Sequence, residues 1–176
     1  MFDLAGLSRS ERLGLTRLDD SKKRSRTERE ELYPAVLKAA SATAISVRGV
    51  HEIDEGGVHR ANLAALGDCL AALAGPDVTL LSDGFSVPEL DLDHEAVVKG
   101  DSRSAAIAAA SVVAKVVRDR FMRHADEIHP GWGFAEHAGY SSKAHRDAIL
   151  EIGISPLHRR SFASVAYSQL ELDEAV

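Results

Sequence analysis

A chain of 176 residues, 45% hydrophobic and 27% charged, holds enough apolar material for one domain with a substantial core and too little for two. Its formal net charge of -6 argues against a protein that coats nucleic acid nonspecifically, because such affinity comes mainly from neutralised phosphates; an enzyme with a local basic face remains open. No run reaches the ~18 apolar residues of a membrane span, no basic-then-apolar leader opens the chain, and the single Cys69 excludes an internal disulfide, so a cytoplasmic protein away from membranes is expected.

Basic side chains crowd the first part of the chain, from Arg9 through Arg29, and Glu171, Asp173 and Glu174 make an acidic tail. Residues 26–40 predict a first helix, with Leu32, Val36 and Leu37 on one side and Ser25 or Thr27 as N-cap ahead of Glu28. Residues 43–50 (TAISVRGV) are β-branched and partly alternating, and predict a strand. A second helix follows over about 54–74. Leu63, Leu66, Leu70 and Leu73 recur there at three and four residues, Cys69 sits among them as packing, and Gly75-Pro76 stops the pattern. The apolar run 78–82 (VTLLS) reads as a buried strand that delivers Asp83-Gly84 at its end. Residues 95–98 predict another short strand, closed by Lys99-Gly100-Asp101.

The clearest helix is 105–124, whose alanine-rich start suits close burial and whose charged continuation suits exposure. Pro130, Gly131, Gly133 and Gly139 mark residues 126–140 as a loop. Ser142 caps a helix through Ile152 that ends at Gly153, and residues 164–172 predict a last helix. Strands interspersed with helices give an α/β domain whose strand order periodicity does not set. Residues 1–176 are read as one domain, in which 1–16 are a residual strand end and basic loop and 164–176 a tail.

Three segments carry a family likeness: Asp20-Ser21-Lys22-Lys23; the block VVKGDSRSAAIAAASVVAKVVRD at 97–119; and HAGYSSKAH at 137–145 with SPLHRRSF at 155–162. With HEID at 51–54 and DG at 83–84, their order and spacing resemble the ribonuclease HII family from about residue 16 to 162. The long central block is specific, whereas DSKK or DG alone is weak. The resemblance implies the ribonuclease H-like fold, a mixed central sheet flanked by helices with a C-terminal helical extension. It also implies a metal-dependent endoribonuclease. Its expected substrates are the RNA strand of RNA/DNA hybrid duplexes and ribonucleotides embedded in duplex DNA, its products 5′-phosphates and 3′-hydroxyls, and its working state a monomer.

The family holds two divalent cations with four carboxylates, because paired cations need several anionic oxygens to activate water and stabilise the leaving oxygen. Hard oxygen ligands suit Mg2+ or Mn2+. By position Asp83 matches the third carboxylate and Asp101 the fourth, both as metal ligands and catalytic groups. Each also has a plain structural reading, Asp83 as a turn residue before Gly84 and Asp101 as a helix cap. Tyr140, preceded by Gly139, matches the family tyrosine that meets the sugar at a ribonucleotide–deoxyribonucleotide junction, and its plain reading is a loop tyrosine packed on the core. Ser21, Lys22 and Lys23 are expected on the nucleic-acid backbone. Asp119, beside Arg118 and Arg120 within a helix, is read as a structural ion pair, and the eight histidines show no metal-ligand spacing.

The family's Asp-Glu pair and the Gly-Arg-Gly that follows it are not found ahead of DSKK. The expectation is a chain that opens inside the family's second strand, with the first strand and most of the second missing. On that expectation half the metal-binding charge is gone and cleavage is weak or lost. Two other classes then compete with the enzyme: a hybrid-binding module without catalysis, and a structural domain that keeps its motifs without using them.

Overall fold

The computed structural model describes residues 1–15, 18 and 24–162. They fall into two compact units, Met1–Val47 with Asn62–Val116, and Arg48–Ala61 with Val117–Val176.

The first unit opens with a hydrogen-bonded exchange: the Met1 ammonium donates to the Ala42 carbonyl at 2.8 Å, and the Ser41 amide donates to the Met1 carbonyl at 3.0 Å. The expected basic loop contains a helix, α1 (Arg9–Leu15). The reason is local. The Ser8 amide donates to Glu11 Oε2 at 2.8 Å while the Glu11 amide donates back to Ser8 Oγ at 3.3 Å, a reciprocal capping box. Helix α2 (Arg26–Ala39) starts where expected, on Ser25, whose side chain accepts from the Glu28 amide. It buries Leu32, Val36 and Ala39.

The strand expected over 43–50 is corrected. Burial does alternate residue by residue there, as on a pleated chain, but a strand is defined by its hydrogen-bonded neighbour, and no described residue pairs with it. Ile45 and Val47 stand 51% and 75% exposed on its outer side.

Helix α3 (Val50–Leu73) begins earlier than expected and is broken at Gly57, whose φ of 79° and ψ of 155° no helical residue adopts. Beyond the break Leu63, Leu66 and Leu70 pack with Val78, Leu80, Val87 and Leu90. Gly67 lets that helix close on Val87, which would lie 3.4 Å from any added Cβ. Strands β1 (Leu81–Asp83) and β2 (Glu95–Val97) pair in parallel, with Leu81 opposite Glu95 and Asp83 opposite Val97. The α/β class expected from the sequence is present, with strand pairing among the described residues confined to these two. Helix α4 (Ala105–Ile128) runs one turn past its expected end. Its first half buries Ile107, Ala108, Ala109, Val112, Val113 and Val116.

In the second unit the expected loop over 126–140 contains a single turn of helix, α5 (Phe134–His137), bracketed by Gly133 and Ala138 in left-handed conformations. Helix α6 (Lys143–Ile152) starts on Ser142, which accepts from the His145 amide, and ends at Gly153, as its sequence predicts. The helix expected over 164–172 lies outside the described residues. Among the described residues no helix is long and apolar enough to cross a membrane.

Candidate active site

In the first unit, the two aspartates singled out by sequence sit at the carboxyl ends of the parallel strands, the edge where open α/β sheets place ligands. Asp83 is the last residue of β1, and the next amide, that of Gly84, donates to the Val97 carbonyl at 3.0 Å. Asp101 lies in a 3-10 turn, Gly100–Ser102, just beyond β2. Asp83 is exposed while Asp101 is buried, at 7% exposure. The link between them is a backbone group: the Gly100 amide donates to Asp83 Oδ1 at 2.9 Å.

Gly100 therefore does more than close a motif. A Cβ there would lie 2.5 Å from Ile107 Cδ1 and 3.2 Å from Asp83 Oδ1. Ile107 is itself buried, so it has little room to retreat. Gly100→Ala is expected to destabilise the protein by about 1–3 kcal/mol through overpacking and to push the Asp83 carboxylate off its amide. Chemical denaturation beside the parent chain measures it, and an unchanged midpoint would contradict the packing described.

In the second unit, Tyr140 follows two left-handed residues, Ala138 (φ 48°) and Gly139 (φ 78°). Gly139 is required twice over, since a Cβ there would also meet Met122 Cε at 3.3 Å and Arg118 Nη2 at 3.6 Å. Tyr140 is 63% exposed. The Arg118 guanidinium stands 5.3 Å from the ring centroid and donates to the Ala138 carbonyl at 3.0 Å. An exposed ring beside an arginine offers an apolar face and a positive charge together. Behind it lie three histidines: His145 Nε2 and His158 Nε2 are 3.0 Å apart, and the His137 ring stacks on His145 at 4.2 Å. Burial, and for His158 the neighbouring His145, lowers the pKa of both, that of His158 to about 4. Asp54 accepts from the amides of Arg160 and Ser161 at 2.9 and 3.0 Å and from Ser161 Oγ at 2.6 Å, and the Ser161 hydroxyl leads in holding its carboxyl below the usual range.

Residues 6–165 match the family model for ribonuclease HII. The chain is 44% identical to a ribonuclease HII of Rhodococcus erythropolis over 160 residues, which are 91% of this chain and 71% of that one. The chain belongs to the ribonuclease HII family. It is 47% identical over 151 residues to ribonuclease HII proteins of Mycolicibacterium gilvum and Mycobacterium tuberculosis, spanning 60% and 57% of their lengths. The crystal structure of the ribonuclease H2 from Pyrococcus horikoshii OT3 superposes with a TM-score of 0.74 at 18% identity, over 98% of this chain and 87% of that one, which establishes a shared fold.

Among the ribonuclease HII residues expected from sequence, Asp83 and Asp101 are joined through Gly100 in the first unit, and Gly139 and Tyr140 belong to the second. Ser21, Lys22 and Lys23 lie outside the described residues. Among the described residues no third Asp, Glu, His or Cys completes a metal-holding group. The donor set nonetheless has the right chemistry for a hard cation: two carboxylates suffice for Mg2+ when water and substrate phosphate fill the remaining positions. Sequence reasoning missed the Gly100 amide, the histidine cluster and the anchoring role of Asp54. The only early signal for the last two was their presence inside the HEID, HAGYSSKAH and SPLHRRSF motifs.

Proposed function

We propose that this ribonuclease HII chain is a metal-dependent endoribonuclease, a cytoplasmic monomer acting on RNA/DNA hybrids and on ribonucleotides embedded in duplex DNA. The observation that carries the reading is the pair of aspartates at the strand ends, one fixed by the Gly100 amide and the other set in the turn beside it. Asp83 and Asp101 would hold Mg2+ or Mn2+. Bound there, the cation supplies charge stabilisation and an activated water for attack on the phosphodiester. The Gly100 N–H holds Asp83 in one orientation, which spares the reaction that reorganisation. Tyr140 offers its face to the sugar, where a 2′-hydroxyl changes the fit, and Lys22 and Lys23, with Ser21, meet the phosphate backbone.

The test is a duplex carrying one ribonucleotide, incubated with Mg2+ or Mn2+. Asp83→Asn should lower cleavage by about 100-fold or more, the scale of losing a group that stabilises transition-state charge. Undiminished cleavage by that variant would remove Asp83 from the site. A second reading, a hybrid-binding module without catalysis, is favoured by one observation: the described residues bring no third carboxylate to Asp83 and Asp101. Binding of the same duplex without any cutting would select it.

A further inference from the structure

We propose that His137, His145 and His158 form a brace with a single allowed proton arrangement that positions Tyr140 to distinguish a ribonucleotide from a deoxyribonucleotide. The proposal rests on the reading of Tyr140 as the residue that meets the sugar.

The proton arrangement follows from backbone groups that cannot change roles; the Ser155 hydroxyl, 2.8 Å from the same His158 Nδ1, is free to turn its O–H to suit them. The Ser155 backbone amide donates to His158 Nδ1 at 2.9 Å, so the ring proton of neutral His158 is on Nε2. That N–H points at His145 Nε2, 3.0 Å away, which must accept. The proton of His145 is then on Nδ1, and it donates to the Tyr140 carbonyl at 3.0 Å. An amide at one end and a carbonyl at the other leave the chain one direction to run.

His137 is fixed by the same logic. Its Nδ1 accepts from the Gly139 amide at 3.1 Å, so its Nε2–H donates to the Trp132 carbonyl at 2.8 Å. Its own carbonyl accepts from the Tyr140 amide at 2.9 Å. Tyr140 is thereby held at its N–H by His137 and at its C=O by His145 and by the Ser142 amide, at 2.8 Å. Phe134, 5.8 Å from the His145 ring and 5.5 Å from that of His158, closes the cluster from water.

Rigid backbone beneath an exposed ring is what recognition by shape requires, because the ordering of the loop is complete before the substrate arrives. The ring of His145 bonds the Tyr140 carbonyl directly, His158 fixes the proton on that ring, and the ring of His137 fixes the Gly139 amide just before Tyr140, so the three side chains act on one short segment of backbone. They act here as positioning residues and touch no substrate.

The experiment compares binding of a duplex carrying one ribonucleotide with binding of the all-DNA duplex of the same sequence, by fluorescence anisotropy without divalent metal. His145→Phe should lower the preference for the ribonucleotide duplex by about tenfold, the scale of losing one positioning hydrogen bond, while affinity for the all-DNA duplex stays unchanged. His145→Asn places an amide N–H where Nδ1–H stood and should keep the preference within about twofold. A folded His145→Phe with the full preference overturns the proposal. Should that variant fail to fold, the His145→Asn preference and the nitrogen-15 spectrum of the unmodified protein decide. The spectrum should show Nε2–H on His137 and His158 and Nδ1–H on His145, and mixed tautomers at His145 or His158 overturn the brace. Tyr140→Ala separates the two readings: if it keeps the preference, the role of Tyr140 fails and the positioning role falls with it, whatever the tautomers show.

Discussion

Phe134→Ala is expected to remove about 3–5 kcal/mol of stability, the range for deleting a buried aromatic ring. The ring is 2% exposed and stacks on Trp132 at 6.0 Å with the planes 11° apart. Its other ring neighbours, His137, His145 and His158, are each tied to backbone groups, which resists their sliding inward. A site that resists collapse keeps its cavity, which places the expected loss toward the upper end of the range. Trp132 also donates its indole N–H to the Gly153 carbonyl at 2.8 Å, so it too is pinned. Urea unfolding followed by Trp132 fluorescence measures the effect. A loss below about 1 kcal/mol would mean that the cluster repacks freely, contrary to the tethering described.

Acidification should destabilise the protein by about 3 kcal/mol between pH 6.5 and pH 4 through His158 alone. In the fold its pKa is lowered from 6.5 to about 4 by burial and by the neighbouring His145. Across that window the unfolded chain takes up a proton that the folded chain refuses, so stability is full above the unfolded value and declines as pH falls toward the folded one. The residue is 7% exposed, so solvent screening changes the figure little. His145, lowered in the same direction, adds to the decline. The carboxylate of Asp54 acts in a different window, because a lowered carboxyl pKa withdraws stability only below the ordinary carboxyl range. Unfolding free energies at pH 7.5, 5.5 and 4.5 for the parent chain and His158→Gln isolate the effect. A parent curve as flat as that of the variant would show that His158 does not resist protonation.

What could be read from the sequence was what neighbouring residues decide between themselves. Ser25 and Ser142 set the starts of α2 and α6 through bonds to amides three residues on, and both helices begin where the sequence placed them. The pair Ser8 and Glu11 carried the same signal for α1 and was overlooked among the surrounding charges. Residues 43–50 misled because alternation marks an extended chain, whereas a strand needs a second strand that no local pattern supplies. Gly56-Gly57 gave warning of a break in α3 that the leucine period concealed. For the site, Asp83 and Asp101 stood out through the family likeness and not through their surroundings, which offered a turn and a cap equally well. The histidines of the brace are 8 and 13 residues apart along the chain, a spacing that no helix or strand brings together, so only the folded loop reveals them.

Asp54 has a consequence for how the molecule is assembled during synthesis. Its carboxylate waits for Arg160 and Ser161, 106 and 107 residues later in the chain. The unit to which all three belong is interrupted by residues 62–116, which pack in the other unit. Neither unit is a continuous stretch of chain, so no single cut releases either one whole. On the ribosome, Asp54 emerges and remains without these partners until Arg160 and Ser161 have been made. A contact of such long sequence separation forms only after a large loop has closed, so the Asp54 contact is expected to follow the local helix caps in folding.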